Sequence, residues 1–96
     1  MVIDDLESTC RLVKSLIEHH WSTIEVSTCT ESFHAIEIVR TVRPEVILLD
    51  IQMPGITGGE IAQRLSEDAK LKKIPIVFLT GMLTHEEAQS RANTAD

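Results

Sequence analysis

The sequence predicts an α/β protein built around a parallel sheet. Residues 46–49 and 76–79 are unbroken apolar runs without polar alternation, a pattern typical of strands covered on both faces. Strand-like and helix-like segments alternate four times, which favours parallel strands joined by right-handed crossovers. With 96 residues, of which 43% are hydrophobic, the chain is expected to form one domain, residues 1–96, with a single core.

Four segments are expected to form strands. Residues 1–3 are apolar and precede two acids, so they predict a first strand that either is short or has already begun where the sequence starts. Residues 23–29 alternate and are rich in branched side chains, which is typical of a half-exposed edge strand. Residues 46–50 and 74–80 contain the two apolar runs, and each ends in a polar residue.

A helix is expected after each strand. Thr30 or Ser32 is expected to cap the second helix and Pro44 to end it, residues 57–59 lead into the third, and residues 84–87 have the capping-box pattern that begins a fourth. Helical spacing predicts inward stripes of Cys10, Val13, Leu16 and Ile17, with His20 at the margin; of Phe33, Ile36, Val39 and Val42; and of Ile61, Ala62 and Leu65. The same spacing turns Glu7, Arg11, Lys14 and Glu18 of the first helix outward.

Composition argues against several classes of function. The net charge is −6 and no basic run is present, so we expect no nucleic-acid binding. No apolar run approaches the roughly 20 residues of a membrane helix, and the N-terminus lacks a signal-peptide pattern; we expect no membrane association and a cytoplasmic location. Cys10 and Cys29 are too few for a disulfide framework and lack metal-site spacing, so we expect free thiols.

Polar side chains follow three of the four predicted strands. Asp4 and Asp5 follow the first strand, Asp50 ends the third and Thr80 ends the fourth. The carboxyl ends of parallel strands meet at one edge of a sheet, where such folds bind ligands. Carboxylates gathered there repel one another unless a cation intervenes, and Mg²⁺ takes oxygen ligands together with a substrate phosphate. We therefore expect a Mg²⁺ site in which Asp50 can attack phosphorus as a nucleophile.

Donors for a phosphoryl group are expected around Asp50. The Thr80 hydroxyl and the backbone amides of Ile51 and Gly81 are the candidates, because charge stabilisation is the main task in phosphoryl transfer. Taken singly, these residues also have ordinary structural explanations, such as an acid at a helix N-terminus for Asp5. Their occurrence together at matched strand ends favours the functional interpretation.

The motifs resemble the receiver domain of two-component response regulators. The resemblance rests on residues 3–5 (Ile-Asp-Asp), residues 46–55 (Val-Ile-Leu-Leu-Asp-Ile-Gln-Met-Pro-Gly), Gly58 and residues 75–81 (Pro-Ile-Val-Phe-Leu-Thr-Gly). The spacings between these motifs also agree with the family, and the match covers essentially the whole chain. It implies a doubly wound, flavodoxin-like sheet with strand order 2-1-3-4.

The resemblance also implies a role for each site residue. Asp50 would accept a phosphoryl group from a histidine kinase or histidine phosphotransfer protein, and the aspartyl phosphate would switch an output surface. Asp5 and Asp50, with the backbone carbonyl of Gln52, would hold Mg²⁺. Asp4 would assist through water, and Thr80 would be the switch hydroxyl that follows the phosphoryl group.

The sequence departs from the family's pattern after the fourth helix. The family has a fifth strand with a lysine that reaches the phosphoryl site, and residues 93–96 resemble the stretch just before it. With the fifth strand absent, residues 76–79 would lie at a sheet edge, which predicts self-association. An alternative function is therefore a receiver-like interaction or dimerisation module that no longer switches. We expect no dedicated enzyme, because phosphatases of the haloacid dehalogenase type need a second acid where this chain has Gln52.

Overall fold

The computed structural model describes residues 1–79 of the chain. Its strands are β1 (Val2–Ile3), β2 (Thr28–Cys29), β3 (Ile47–Asp50) and β4 (Ile76–Leu79). Its helices are α1 (Glu7–His20), α2 (Ala35–Val42) and α3 (Gly58–Glu67), and a short 3₁₀ turn, Ser32–His34, precedes α2. The strands pair in parallel in the order β2-β1-β3-β4, which confirms the predicted fold class and strand order. The predicted fourth helix, Thr80 and Gly81 lie outside the described residues.

The register of the sheet aligns the carboxyl ends of β1 and β3. Ile3 lies opposite Leu49, so the next residue of each chain segment brings Asp4 beside Asp50. On the other side of β3, Asp50 lies opposite Leu79 at the end of β4. Asp4 and Asp50 thus lie together at the carboxyl edge of the sheet, while the residues that precede them in each strand are buried in the core.

Strands β1 and β3 are covered on both faces, as their apolar residues predict, whereas β4 is not: Val77 and Phe78 are 50% and 44% exposed, contrary to the prediction from the second apolar run. On one face Val2 packs with Cys10 and Val26, and half-buried Val13 and Ile17 of α1 complete that cluster. On the other face, helices α2 and α3 cover a larger cluster that includes Ile3, Ile47, Leu49, Val39, Ile61 and Leu65. Adjacent residues of one strand, such as Val2 and Ile3, therefore lie in different clusters, which is the arrangement of a doubly wound sheet.

Helix α1 ends beside Trp21, the single tryptophan of the chain. The Trp21 backbone N–H donates to the Ile17 carbonyl at 2.8 Å, and the indole meets the His20 ring edge-on with centroids 4.4 Å apart. The 14 residues of α1 span about 21 Å along the helix axis. Trp21 is therefore far from the edge of the sheet where Asp5 lies. Within residues 1–79, no helix has the length and apolar character needed to cross a membrane.

Four residues predicted to lie inward, or in the case of His20 at the margin, are exposed. The Leu16 side chain is 62% exposed, because the buried stripe of α1 runs through Cys10, Val13 and Ile17 and leaves Leu16 at its margin. Phe33 is 70% exposed, because it lies in the 3₁₀ turn and not in the helix whose spacing predicted it. Val42 is the last residue of α2, next to Arg43 in the left-handed conformation, and it too is exposed. His20 is likewise exposed.

The second strand–helix unit also differs from its prediction. Strand β2 has two residues in place of the predicted 23–29, because its partner β1 is itself only two residues long. Neither Thr30 nor Ser32 caps α2 with its side chain; the 3₁₀ turn intervenes, and the Ser32 hydroxyl donates to the Pro54 carbonyl instead. Helix α2 does end just before Pro44, as predicted.

Lys14 and Glu18 do not simply point into solvent as predicted. The Lys14 ammonium donates to the Val26 carbonyl at 2.7 Å, and the Val26 N–H donates to a Glu18 carboxylate oxygen at 2.8 Å. The two side chains also form an ion pair at 3.4 Å. Helical periodicity cannot predict these bonds, since their partner lies in the segment that follows the helix.

Candidate functional site

Three carboxylates gather at the carboxyl edge of the sheet, and we call Asp4, Asp5 and Asp50 the acid trio. One oxygen from each lies within 4.8 Å of the others. Asp4 and Asp50 are buried and Asp5 is half-buried. The aligned ends of β1 and β3 place them there, so the convergence predicted from the sequence is present in the fold.

The acid trio is electrostatically strained. Burial raises the pKa of the Asp4 carboxyl above its ordinary value; the bond from the Leu6 amide opposes this rise and the charge of Asp5 adds to it. Burial also raises the pKa of Asp50, and the charge of Asp4 raises it further, against a lowering by the Gln52 amide. Crowded carboxylates with raised pKa values indicate negative charge that the surrounding protein does not balance.

No ion pair found among residues 1–79 involves the acid trio. The ion pairs of this region join Arg11 to Glu7, Lys14 to Glu18, His34 to Glu31 and Arg40 to Asp68. The trio therefore offers a set of oxygen ligands with unbalanced charge, which suits a hard divalent cation such as Mg²⁺. Thiol and imidazole ligands, which softer transition metals favour, are not part of this set.

Hydrogen bonds distinguish the members of the trio. Asp4 Oδ1 accepts the Leu6 N–H at 2.9 Å, and the Asp4 backbone carbonyl accepts the Cys10 thiol at 3.4 Å. Asp4 is thereby tied to the start of α1. Asp50 Oδ1 accepts the Gln52 N–H at 3.3 Å, which leaves Oδ2 for another partner.

The loop that follows Asp50 is held close to the strand end. The Gly58 N–H donates to the Ile51 carbonyl at 3.1 Å, and a β-carbon on Gly58 would overlap the Asp50 carbonyl. The Ile51 N–H points to the Leu79 carbonyl of β4 at 3.4 Å, which is long for such a bond. An open cleft of about 570 Å³ lies along the loop, between residues 51–54 and the start of α3.

The described residues include most of the predicted site. The three acids meet, and Ile51 and Gln52 lie on the adjoining loop, while Thr80 and Gly81 fall outside the described residues. The sequence interpretation missed the contact between Ser32 and the loop, at Pro54. No local signal marks that contact, because Ser32 belongs to a different strand–helix unit.

The model of the response regulator receiver domain matches residues 1–95. The chain belongs to this family. It is thus a receiver domain of the kind used in two-component signalling, and the acid trio lies at the edge where the resemblance placed the phosphoacceptor.

Individual receiver proteins are similar over most of the chain. The polar-differentiation response regulator DivK of Brucella anthropi is 34% identical over 80 residues, covering 83% of this chain and 63% of that protein. The response regulator PleD of Caulobacter vibrioides is 32% identical over 82 residues, covering 85% of this chain and 18% of that protein. The chain therefore spans less than two thirds of the length of these curated relatives.

Solved receiver structures have the same fold. The N-terminal domain of a response regulator receiver protein from Methanoculleus marisnigri JR1 superposes with a TM-score of 0.78 at 27% identity, covering 95% of this chain and 73% of that one. The chemotaxis protein CheY4 of Vibrio cholerae gives a TM-score of 0.75 at 26% identity, covering 96% and 75%.

Proposed function

We propose that the Asp50 carboxylate accepts a phosphoryl group from a phosphohistidine in a Mg²⁺-dependent reaction. The observation that carries this proposal is the acid trio, whose three oxygens lie within 4.8 Å of one another without a balancing cation among residues 1–79. An Asp50 oxygen attacks phosphorus, the bond from phosphorus to the imidazole nitrogen breaks, and the histidine, protonated on its other ring nitrogen, leaves as neutral imidazole. The product is an acyl phosphate on Asp50, formed without a general base because the carboxylate is already ionised.

Asp5, Asp50 and the backbone carbonyl of Gln52 are the proposed Mg²⁺ ligands. Asp4 acts through water, in line with its tie to the Leu6 amide. If bound by these residues, Mg²⁺ would neutralise charge on the carboxylates and on the phosphoryl oxygens. The pKa values of Asp4 and Asp50, raised chiefly by burial and further by the neighbouring carboxylates, support this assignment, since a cation would stabilise the ionised carboxylates.

Hydrogen-bond donors complete the proposed phosphoryl site. The Thr80 hydroxyl and the Gly81 amide follow β4 in sequence, next to Leu79, which lies opposite Asp50. The Ile51 amide is the third donor. It serves the phosphoryl group only by leaving its long bond to the Leu79 carbonyl, so phosphorylation is expected to alter the contact between β3 and β4.

The proposed partner is a histidine kinase or histidine phosphotransfer protein, which supplies the phosphohistidine. Within this proposal the chain is a phosphoacceptor that switches an output surface and not a dedicated hydrolase. Its presence in the cytoplasm and its self-association through β4 stay predictions from the sequence.

Phosphorylation with a small-molecule donor tests the proposal. We expect acetyl phosphate and Mg²⁺ to add one phosphoryl group to the intact protein, measured by mass spectrometry, and EDTA to prevent it. Asp50→Asn should abolish the mass gain, whereas Glu45→Gln, at an exposed acid before β3, should leave it unchanged. Equal phosphorylation of the protein and its Asp50→Asn variant would contradict the proposal. Absence of any phosphorylation would instead favour a receiver-like interaction module that does not switch.

A further inference from the structure

Two residues of the 3₁₀ turn before α2 contact the loop that follows Asp50. The Ser32 hydroxyl donates to the Pro54 carbonyl at 3.1 Å, and Ser32 is only 7% exposed. The neighbouring Phe33 ring lies against Gly55, where an added β-carbon would stand 2.6 Å from ring atom Cε2. We call these two contacts, Ser32 with Pro54 and Phe33 with Gly55, the loop clamp.

The loop clamp is not explained by burial of the Phe33 side chain. A ring that is 70% exposed adds little to the hydrophobic core, so its stabilising effect should be small. Gly55 has a φ of +85°, a conformation that other residues adopt only at a cost, and the ring also excludes a side chain there. The contact between Phe33 and Gly55 therefore favours the one loop conformation in which Gly55 has this positive φ.

The clamp acts on the loop that carries Gln52. Met53 and Ile56 bury their side chains in the core, while Gln52 is exposed and has no such anchor of its own. Among residues 1–79, Ser32 is the only residue outside positions 50–60 whose side chain hydrogen-bonds this loop. The clamp thus contacts the peptide unit between Pro54 and Gly55, two units after the one that contains the Gln52 carbonyl, and restricts the conformations open to the loop between them.

We propose that Ser32, assisted by Phe33, is a positioning residue that orients the Gln52 carbonyl for the divalent cation. This inference rests on the proposed function, in which that carbonyl is a Mg²⁺ ligand. Groups that orient a metal ligand without touching the metal commonly change affinity by tenfold or more. Ser32→Ala is accordingly expected to weaken Mg²⁺ binding roughly tenfold.

Loss of the Ser32 hydroxyl should leave the fold intact. Pro54 is exposed, so water can hydrate its carbonyl when the serine is removed. Ser32 does not cap α2, which therefore loses no helix-terminal bond. A fall in Mg²⁺ affinity in this variant would accordingly indicate a change in the conformation of the loop and not unfolding of the protein.

Mg²⁺ affinity of a matched set of variants tests the inference. Isothermal titration calorimetry would compare the unaltered chain with Ser32→Ala, Ser32→Thr and the control Ser66→Ala. Ser66 also donates its hydroxyl to a carbonyl, that of Gln63, but on the exposed face of α3. We expect a roughly tenfold loss for Ser32→Ala, recovery with the hydroxyl of Ser32→Thr, and no change for Ser66→Ala.

A second variant and a metal-free measurement support the titration. Phe33→Ala should also weaken Mg²⁺ binding, to a smaller extent, whereas Leu16→Ala removes a comparably exposed apolar side chain from α1 without effect. In metal-free protein, Ser32→Ala should shift or broaden the NMR amide signals of Gln52 and Met53, and Ser66→Ala should not.

The outcomes separate this inference from the proposed function. If the chain binds Mg²⁺ in a manner that requires Asp50, and Ser32→Ala and Phe33→Ala bind it equally well, the clamp does not position the ligand. If the unaltered chain shows no Mg²⁺ binding that depends on Asp50, the inference and the metal site of the proposed function both fail.

Discussion

The α-carbon of Gly58 packs directly against the backbone carbonyl of Asp50. A β-carbon at position 58 would overlap the carbonyl oxygen and would also stand 2.9 Å from the Ile51 α-carbon. The Gly58 N–H donates to the Ile51 carbonyl from the same position. The first turn of α3 is thus fitted to the end of β3, and the glycine is required by close approach.

Gly58→Ala should therefore destabilise the protein although alanine favours helices. The atoms that the added methyl group would meet belong to the backbone of Asp50 and Ile51, which cannot move aside as a flexible side chain would. We therefore expect a loss of roughly 1–3 kcal/mol in the free energy of unfolding. For a domain of this size each kcal/mol lowers Tm by about 4–8 °C. Circular dichroism during thermal and urea unfolding would measure both.

The adjacent Gly59 provides the matched control. An added β-carbon there has only the Thr57 hydroxyl oxygen near it, at 3.8 Å, and the residue is exposed. Gly59→Ala should leave stability unchanged or raise it by about 0.5–1 kcal/mol. Equal behaviour of the two alanine variants would show that the Gly58 contact is unimportant.

The acid trio predicts that metal-free protein loses stability as pH rises. The pKa values of Asp4 and Asp50 are raised in the folded state, so folded protein binds protons more tightly than unfolded protein. Their stabilising contribution is complete below the unfolded pKa and is lost as pH rises through the folded pKa. Thermal unfolding in EDTA between pH about 4 and about 8 would reveal this slope.

Asp50→Asn should flatten that pH dependence and raise Tm at neutral pH by a few degrees. The amide removes one charge from the trio and retains an oxygen that can accept the Gln52 N–H. Glu45→Gln removes an exposed charge elsewhere and should not alter the slope. A lower Tm for Asp50→Asn at neutral pH without metal would mean that the carboxylate is not under repulsion.

Mg²⁺ should stabilise the protein through the same acids. A ligand that binds only the folded state at ten times its Kd adds about 1.4 kcal/mol. We expect this gain in the unaltered protein and a much smaller one in Asp5→Asn and Asp50→Asn. The measurement is urea unfolding with and without Mg²⁺ at constant ionic strength. A gain of the same size in all three proteins would point to binding elsewhere.

Lys14 and Glu18 predict a different effect, at the outer edge of the sheet. Their side chains satisfy the carbonyl and the N–H of Val26, just before the edge strand β2. Lys14→Met keeps the apolar stem but removes the donor to a part-buried carbonyl, and it should cost about 1–2 kcal/mol. Arg11→Met, in the exposed pair with Glu7, should cost about 0.5 kcal/mol or less. Urea unfolding would compare the two.

Lys14 and Glu18 also occupy the carbonyl and the N–H of Val26, which could otherwise bind another chain. Unpaired groups at a sheet edge promote association between molecules. Replacing both residues, as Lys14→Met with Glu18→Leu, should therefore increase self-association, measured by light scattering after size-exclusion chromatography. A double variant that self-associates no more than the unaltered protein would show that the edge is protected by other means.

Local patterns in the sequence predicted the features that depend on one segment at a time. The apolar run before Asp50 identified β3, and strand–helix alternation with the family resemblance identified the sheet order and the acid trio. Leu16 and Val42 were misplaced by their position on their own helices, but for other residues the deciding contact lay in another segment. Phe33 lies against Gly55, and Lys14 bonds Val26, so their surroundings depend on how separate units pack and not on helical spacing.

The position of Trp21 determines what can be observed in this protein by fluorescence. The only indole of the chain lies about one helix length from Asp5, at the far end of α1. Its emission should change when the helix unfolds and should be nearly insensitive to charge at Asp50. Intrinsic fluorescence can therefore report folding separately from Mg²⁺ binding at the acid trio. Quenching of Trp21 during a Mg²⁺ titration would indicate a structural change that reaches the opposite side of the domain.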